Sequence, residues 1–528
     1  MSDRELDGII KISRALISLT DKTGLLELAK ILVKNGVELV STGGTHKALQ
    51  EAGFCSREVS EFTGFPEGLG GRVKTLHPFI HGGLLARRGL PEDEAFIAKH
   101  GILLIDLLVC NLYPFGEVTK DPACSLEKAI ENIDIGGPAM VRSAAKNHAS
   151  VVVLTNPNQY TPFMLVFSKG NGSVPTLFSK KCAIDAFVSI AAYDIQIANH
   201  LVLATNHGQS RLQIDFPAAN ELRYGENPHQ KASLYLLNSG TSQTLARSCV
   251  LNGKELSYNN WLDLDAAWML ALSFPEPSAV VVKHTNPCGA AQCDSLESAF
   301  LAAYNADPVS AYGGIVAFNR SVDILTAEAM VLPGRFIECI VAPAFSKEAL
   351  EILTTKPSWR KNVRLVEVGM ASEKPNAVRE FRSIDGGLLV QSRDVVAEGN
   401  ESWKVASHRR PSQSEILDLE IAWKIAAHVK SNAIVLVRNG ILVGVGQGQT
   451  SRVESVKLAI QKAGDRTYGS SLGSDAFFPF RDGVDEALKV GIKAFIQPGG
   501  SIRDAESVAA CDDSLACMVF TGIRHFKH

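Results

Sequence analysis

The sequence predicts an α/β protein built on parallel sheet, and three observations carry that prediction. Short apolar runs alternate with stretches of helical spacing between residues 14 and 53, and glycine-rich loops follow those runs. The chain, at 528 residues, is long enough for three or four compact units of about 150 residues, each with its own core.

Ala15-Leu16-Ile17-Ser18-Leu19 reads as a buried strand. Residues 23–34 follow with leucines at helical spacing, Gly36 stops that helix, and Val37-Glu38-Leu39-Val40 is the next strand. Ser41-Thr42-Gly43-Gly44-Thr45 then opens another helix, which puts loops at strand carboxyl ends, where parallel sheets bind ligands. Residues 102–110 read as a further strand leading into Asn111-Leu112-Tyr113-Pro114-Phe115, and 150–154 as one more after a helix that begins near Pro138. An amphipathic stretch over 180–201 is followed by a polar run, so the main boundary falls there, with a first domain at 1–204 and a linker at 205–210. The second half has strands at 279–282, 433–437 and 494–496, and polar segments at 372–382 and 398–403 divide it near residue 390 into 211–390 and 391–528. No internal repeat is visible.

Composition narrows the function classes. Hydrophobic residues are 46% and charged residues 21%, as in folded globular proteins, which argues against bulk disorder. A formal charge of −3 provides no general field for nucleic acid, so an anionic ligand would be held by local basic clusters, and small molecules are the expected partners. No apolar run approaches the roughly 18 residues of a membrane span, and the polar start Met1-Ser2-Asp3-Arg4-Glu5 lacks a signal-peptide pattern. A cytoplasmic chain without a membrane or nucleic-acid partner is expected. The ten cysteines form no Cys-x-x-Cys pair, and the closest pairs, Cys288 with Cys293 and Cys511 with Cys517, lack the neighbours of a tetrahedral zinc site, so no metal is expected.

Two lysine-centred motifs carry the chemistry. In the first half, Arg72-Val73-Lys74-Thr75-Leu76-His77-Pro78 follows Gly68-Leu69-Gly70-Gly71 and is either a solvated basic turn or part of an anion site. The Ser41–Thr45 loop likewise either makes a tight turn or aims backbone N–H groups at an anion, and Thr20-Asp21-Lys22-Thr23 is either a helix cap or a contributor at the same sheet edge. Asp134-Ile135-Gly136-Gly137-Pro138 sets Asp134 beside the start of a helix that carries Arg142 and ends near Lys146-Asn147-His148. In the second half, Lys283-His284-Thr285-Asn286-Pro287-Cys288-Gly289 follows an apolar strand, and the adjacent ammonium disfavours an imidazolium, which would suit His284 as a base; the alternative is a capped strand end.

Taken in order, the first-half motifs resemble the cyclohydrolase half of the bifunctional purine-biosynthesis family that joins AICAR transformylase to IMP cyclohydrolase. Residues 216–528 resemble its transformylase half through Arg223-Tyr224-Gly225-Glu226-Asn227-Pro228, Ser310-Ala311-Tyr312-Gly313-Gly314, Lys430-Ser431-Asn432-Ala433, Asp475-Ala476-Phe477-Phe478-Pro479-Phe480-Arg481-Asp482 and Gly522-Ile523-Arg524-His525. The resemblance implies a methylglyoxal-synthase-like domain followed by two cytidine-deaminase-like α/β subdomains. It implies formyl transfer from 10-formyltetrahydrofolate to AICAR, giving FAICAR, and closure of FAICAR to IMP with loss of water.

Residue roles follow from the same resemblance. For ring closure, Lys146 would be the acid/base, assisted by Lys74, Tyr113 and Asp134. The nucleotide would be held by Thr20, Asp21, Lys22, Thr42, Gly43, Gly44, Thr45, Arg72, Val73, Thr75, Cys110, Asn111, Ile135 and Gly136. For formyl transfer, His284 would be the base, Lys283 would protonate the leaving nitrogen and Asn432 would orient the formyl oxygen. AICAR would be bound by Arg223, Tyr224, Gly313, Glu338, Phe477, Asp482 and Arg524, and the folate would lie along Arg452, Ser501 and Ile502. Glu338 stands where other versions of the family carry Asp, and the compact second half marks the shorter bacterial-type form. The resemblance also implies a homodimer with transformylase sites completed across its interface, and a structural monovalent cation in place of a catalytic metal. The zinc signature of the deaminases is absent from the sequence, which weakens a nucleoside or nucleotide deaminase as the second alternative; a non-catalytic nucleotide sensor is the third.

Overall fold

The computed structural model describes residues 8–121, 123–205, 216, 218–236, 243–369, 379–396 and 402–528. The chain divides into two compact units, 1–215 and 216–528. The expected linker begins at Thr205, the last residue of a helix, and otherwise lies outside the described residues, as do the polar start and parts of both polar segments near 372–382 and 398–403.

The first unit is built on five strands in the order Arg57–Glu58, Glu38–Ser41, Arg14–Ser18, Leu107–Cys110, Val152–Leu154, every neighbouring pair parallel. Side chains alternate across the sheet: Ala15, Ile17, Leu107 and Val109 enter one core and Leu16, Leu108 and Cys110 the other, as a doubly covered parallel sheet requires. The strand expected over 102–110 is confined to its last four residues. The Ile105 N–H bonds to Gly83 O at 3.1 Å instead of to a neighbouring strand, and the Asp106 carboxylate accepts from Ser13 N and Arg14 N.

Helix Thr176–Thr205 is longer than the stretch expected, and among the described residues it is long and apolar enough by length and composition to cross a membrane. The sequence reading, which found no apolar run near that length, is corrected here: the polar residues spaced along the helix interrupt the run without lowering its mean hydropathy enough to exclude it. One stripe of the helix, including Cys182, Ala183, Ala186 and Ile190, is buried within its own unit.

The second unit contains a twelve-stranded sheet made of two halves with the same topology. In the first half, hairpin Ser278–Lys283/Asn286–Gln292 is followed by Gly314–Phe318, antiparallel to the first hairpin strand, and then by Ile337–Ala342 and Arg364–Glu367 in parallel. The second half repeats this with hairpin Ile434–Arg438/Ile441–Gly446, then Ser471–Ser474, Ala494–Gln497 and Cys517–Phe520. The halves meet where Ala291 pairs with Ile441. Helices Tyr258–Leu272 and Gln413–Ala426 precede the two hairpins, each opened by a reciprocal serine capping box. The repeat lies chiefly in strand pairing, and its trace in residue identity is short: Leu262-Asp263-Leu264 with Ala267-Trp268 in the first helix matches Leu417-Asp418-Leu419 with Ala422-Trp423 in the second, a likeness that sequence reasoning missed. Residue 390, where a division was expected, sits inside strand Gly387–Ser392, paired with Arg379–Ile384.

Register decides which residues share an edge. Lys283 pairs with Asn286, Val282 with Ile315, Gly314 with Ile337, Ile434 with both Gly446 and Ser474, and Gln497 with Phe520. Because the Ala291–Ile441 pairing is antiparallel, the Asn286 end of one strand and the Gly446 end of its neighbour point the same way. One edge of the sheet therefore gathers the loops that carry His284, Gly313, Asn432, Arg452, Phe477, Ser501 and Arg524.

Candidate active sites

In the first unit the expected loops converge at the carboxyl edge of the sheet. The Asn111 side chain ties them together: its Oδ1 accepts from Thr20 N at 2.6 Å and Asp21 N at 3.2 Å, and its Nδ2 donates to Asp21 O at 2.7 Å. Asp21 in turn accepts from the backbone and hydroxyl of Thr23, which hold its carboxyl below the usual range. No side chain caps helix Gly43–Glu51, so its first N–H groups face the edge, an anion-binding arrangement. Lys74 Nζ lies over this helix start, 2.8 Å from Glu67 Oε2; a Cβ on Gly43 would come within 2.7 Å of that nitrogen. Thr75 packs so tightly against Gly136 that a Cβ there would strike its hydroxyl. Val73 lies between these contacts, and Arg72 pairs closely with Glu131.

Asp134 accepts from Gly137 N at 2.8 Å, and its own N–H donates to the Tyr193 hydroxyl at 2.9 Å. Burial pushes its carboxyl up, opposed by N–H groups of Gly137 and Tyr113, so a proton can reside there nearer neutrality than on an ordinary aspartate. Tyr113 and Ile135 are exposed at this edge, whereas Thr45 is buried and bonded to both backbone groups of Leu19. Cys110 is buried and its thiol is pushed up by burial, so it forms a wall and not a nucleophile. His77 caps helix Pro78–Leu85 by accepting from Phe79 N, which gives it a structural place.

Lys146 stands apart from this cluster. It closes helix Gly136–Lys146, whose start lies at the ligand edge, so at about 1.5 Å per residue its Cα is roughly 15 Å from the helix start. Next to it, Asn147 bonds to Leu84 O and Ala86 O, at the amino edge of the sheet. Within one chain, then, Lys146 does not join Asp134, Lys74 and Tyr113, contrary to the single cluster the sequence suggested.

In the second unit, Lys283 Nζ donates to Tyr312 O at 2.8 Å, beside Gly313, whose φ of 73° calls for glycine. His284 is exposed on the loop between the hairpin strands. Arg223 donates to the Tyr224 hydroxyl at 3.0 Å and lies over its ring, and the same turn is held to the edge through Asn259 Nδ2 and Glu226 O. Among the described residues, two side chains bond to Glu338, Asn260 at 3.0 Å and Arg364 at 3.2 Å, and both donate to Oε1, which anchors its longer side chain. Phe477, Ile502 and Arg524 are exposed, Arg524 over the Phe526 ring, while Ser501 and Asp482 bond within their own turns.

Arg452 departs from expectation. Its side chain is 6% exposed and its guanidinium donates to Ser474, to Asp475 in a close ion pair, and to Asn432 Oδ1 at 2.9 Å. It supports Asn432 from inside instead of lining the folate surface. The residues that sequence reasoning missed are such supports: Asp475, Ser474, Asp263, Asn260, Glu67 and Tyr193. Only the Asp475 motif stood out in the sequence, and there as a turn.

Two α/β units, each with directional donors and titratable groups gathered at one edge of its own sheet, define a two-site α/β enzyme for small anionic substrates. A family model of the AICARFT/IMPCHase bienzyme matches residues 144–462, and a model of the MGS-like domain matches 24–139. The bifunctional purine biosynthesis protein PurH of Synechococcus elongatus is 48% identical over 518 residues, covering 97% of this chain and 99% of that protein. Among solved structures, the crystal structure of ForH matches 36% of this chain and 99% of its own, with 34% identity and a TM-score of 0.32. The chain belongs to the AICARFT/IMPCHase bienzyme family.

Proposed function

We propose that this chain performs formyl transfer and ring closure at separate sites, one in each unit. As a member of the bienzyme family it is a bifunctional enzyme of purine biosynthesis: a folate-dependent formyltransferase that converts AICAR to FAICAR and a cyclohydrolase that closes FAICAR to IMP. The observation that supports two sites is the gathering of each unit's loop residues on one edge of its own sheet.

In formyl transfer the 5-amino nitrogen of AICAR attacks the formyl carbon; the amine proton goes to His284, Lys283 protonates the departing folate nitrogen, and Asn432 donates to the formyl oxygen. Arg223, Tyr224, Gly313, Glu338, Phe477, Asp482 and Arg524 would hold AICAR, with Arg223 and Arg524 on the phosphate. Ser501 and Ile502 would lie along the folate. In ring closure the carboxamide nitrogen attacks the new formyl carbon and water leaves. Lys74 faces the developing oxyanion, and Asp134 with Tyr113 moves protons at the site. Lys146 is the acid/base, brought to this edge by a second copy of the chain.

That role for Lys146 goes with a homodimer. The domain limits proposed are 1–204, a linker at 205–210, then 211–390 and 391–528, the last two as cytidine-deaminase-like halves, a reading supported by their shared strand order. Cytoplasmic residence suits the soluble substrates. Among the described residues no group of three His, Cys, Asp or Glu could hold a metal. The proposed structural monovalent cation would take carbonyl and hydroxyl oxygens, and a melting temperature that rises with potassium but not with tetramethylammonium tests it.

Paired variants test the division of labour. Lys146→Ala should stop FAICAR cyclisation and spare tetrahydrofolate release, and His284→Ala should do the reverse; loss of both activities together in folded protein would contradict separate sites.

A further inference from the structure

The duplicated sheet supplies an internal control for the loop that carries His284. Both hairpins turn in two residues, closed by Lys283 with Asn286 in one half and by Arg438 with Ile441 in the other. Both central pairs are left-handed: φ is 53° at His284 and 64° at Thr285, against 53° at Asn439 and 77° at Gly440. Asn-Gly is the pair that such a turn favours on backbone grounds alone. His-Thr is a poorer choice: histidine visits positive φ more readily than most residues, but the β-branched Thr285 resists it and stands where the other half has glycine. The half without the Lys-His motif therefore has the unstrained turn, and the half with it holds a strained one.

Each turn is gripped by an aspartate from the preceding helix, six residues after that helix's capping serine, Ser257 or Ser412. Asp418 accepts from Asn439 N at 3.0 Å and Gly440 N at 2.7 Å. Asp263 occupies the equivalent place and accepts from Thr285 N at 2.6 Å, with the His284 N–H also directed at it. Above it, the His284 carbonyl accepts from Thr285 Oγ1 at 2.7 Å and Asn286 Nδ2 at 2.9 Å, so both peptide groups of the strained pair are tied. An Asn-Gly turn would hold its shape without such a grip, whereas a His-Thr turn would relax towards negative φ and swing the imidazole away.

We infer that Asp263 is a positioning residue for formyl transfer: its carboxylate holds the left-handed His284–Thr285 pair, and so fixes where the imidazole stands at the sheet edge. This rests on the reading of His284 as the base. Asp418 is its structural counterpart, holding a turn that carries no chemistry.

The test uses the full chain, with tetrahydrofolate release as the formyl-transfer readout and FAICAR cyclisation in the other unit as the folding control. Asp263→Ala should lower the kcat of formyl transfer about a hundredfold, as a misplaced catalytic group does, while KM for AICAR stays within about threefold. Cyclisation should be unchanged. Asp263→Asn keeps an acceptor oxygen and should lose only about tenfold, and Thr285→Gly added to Asp263→Ala should recover about tenfold by removing the strain. Asp418→Ala should lower the melting temperature without lowering kcat per folded molecule. The inference is overturned if Asp263→Ala keeps wild-type kcat while His284→Ala abolishes it, or if the Asp263 and Asp418 variants lose formyl transfer equally. Wild-type formyl transfer in His284→Ala would instead overturn the reading of the base.

Discussion

Arg452 donates to Asn432 Oδ1 at 2.9 Å, and that bond decides which way the Asn432 amide faces. A guanidinium offers only donors, so the amide oxygen turns to it and the NH2 turns away. One amide hydrogen goes to Gln449 O at 2.9 Å, and in the proposed formyl transfer the second would meet the formyl oxygen. Arg452→Lys keeps the charge but loses the planar fork. We expect formyl-transfer kcat to fall about 10- to 100-fold, the worth of a charged hydrogen bond at roughly 1.5–3 kcal/mol, with cyclisation intact. Steady-state assays of both reactions check this; an unchanged kcat would mean that the amide is oriented by something else.

Lys146 and Asp134, at opposite ends of one helix, lead to a complementation experiment. If a second copy supplies Lys146, then Lys146→Ala and Asp134→Asn proteins, each inactive in cyclisation alone, should regain activity when mixed and allowed to exchange subunits. A mixed dimer has one site with both residues intact, so recovery should approach about a quarter of the wild-type rate per chain at equal mixing. No recovery from a mixture shown to exchange would place Lys146 in its own chain's site.

Gly43→Ala separates packing from chemistry in the first unit. Alanine suits the first helical position better than glycine, so stability should hold or rise by up to about 1 kcal/mol. The new methyl group would press on Lys74 Nζ, the mobile end of a long side chain, and push it off the helix start. The expected outcome is an unaltered or raised melting temperature, slower FAICAR cyclisation and unaffected formyl transfer. Cyclisation at the wild-type rate would remove Lys74 from the oxyanion role.

His428 gives the second unit a pH dependence. Burial first, and then the charge of Lys527, pushes its imidazole down to about 3. An unfolded histidine titrates near 6.5, so above that pH the ring is neutral in both states and adds no slope. Below about 6.5 the unfolded chain takes up a proton that the folded chain refuses until about 3, so stability is lost as the pH falls through that window. Thermal melts from about pH 7.5 to pH 5 should show this loss in the wild type and a shallower one in His428→Asn. Equal slopes would assign the acid sensitivity to other groups.

The strands were legible because a sheet covered on both faces needs uninterrupted apolar runs, and Ala15–Ile17 in the parallel sheet and Val280–Val282, flanked by antiparallel neighbours, supply them. The overlong reading at 102–110 failed because Ile102 and Ile105 are buried without sheet partners, which an apolar run cannot distinguish from a strand. Candidate residues on glycine-rich loops were legible by type, but their direction was not. Arg452 looked like a surface cation because nothing in the chain order announces Asp475 beneath it. The separation of Lys146 from Asp134 could have been obtained by counting residues along the helix at about 1.5 Å each. The His284 turn was hidden because its residues contradict its conformation, and only the paired Asn439–Gly440 turn makes that visible.

The seam at Ala291 and Ile441 has a practical meaning for anyone dividing the gene. Backbone pairing across it is slight, yet Leu264, Val280 and Val341 from one side share a single hydrophobic core with Ile425, Val435 and Val445 from the other. A cut near residue 390 would therefore expose half a core on each fragment and give two insoluble polypeptides. A cut between 205 and 216 falls at the division between the two compact units, so it is there that the two activities could be expressed as separate proteins.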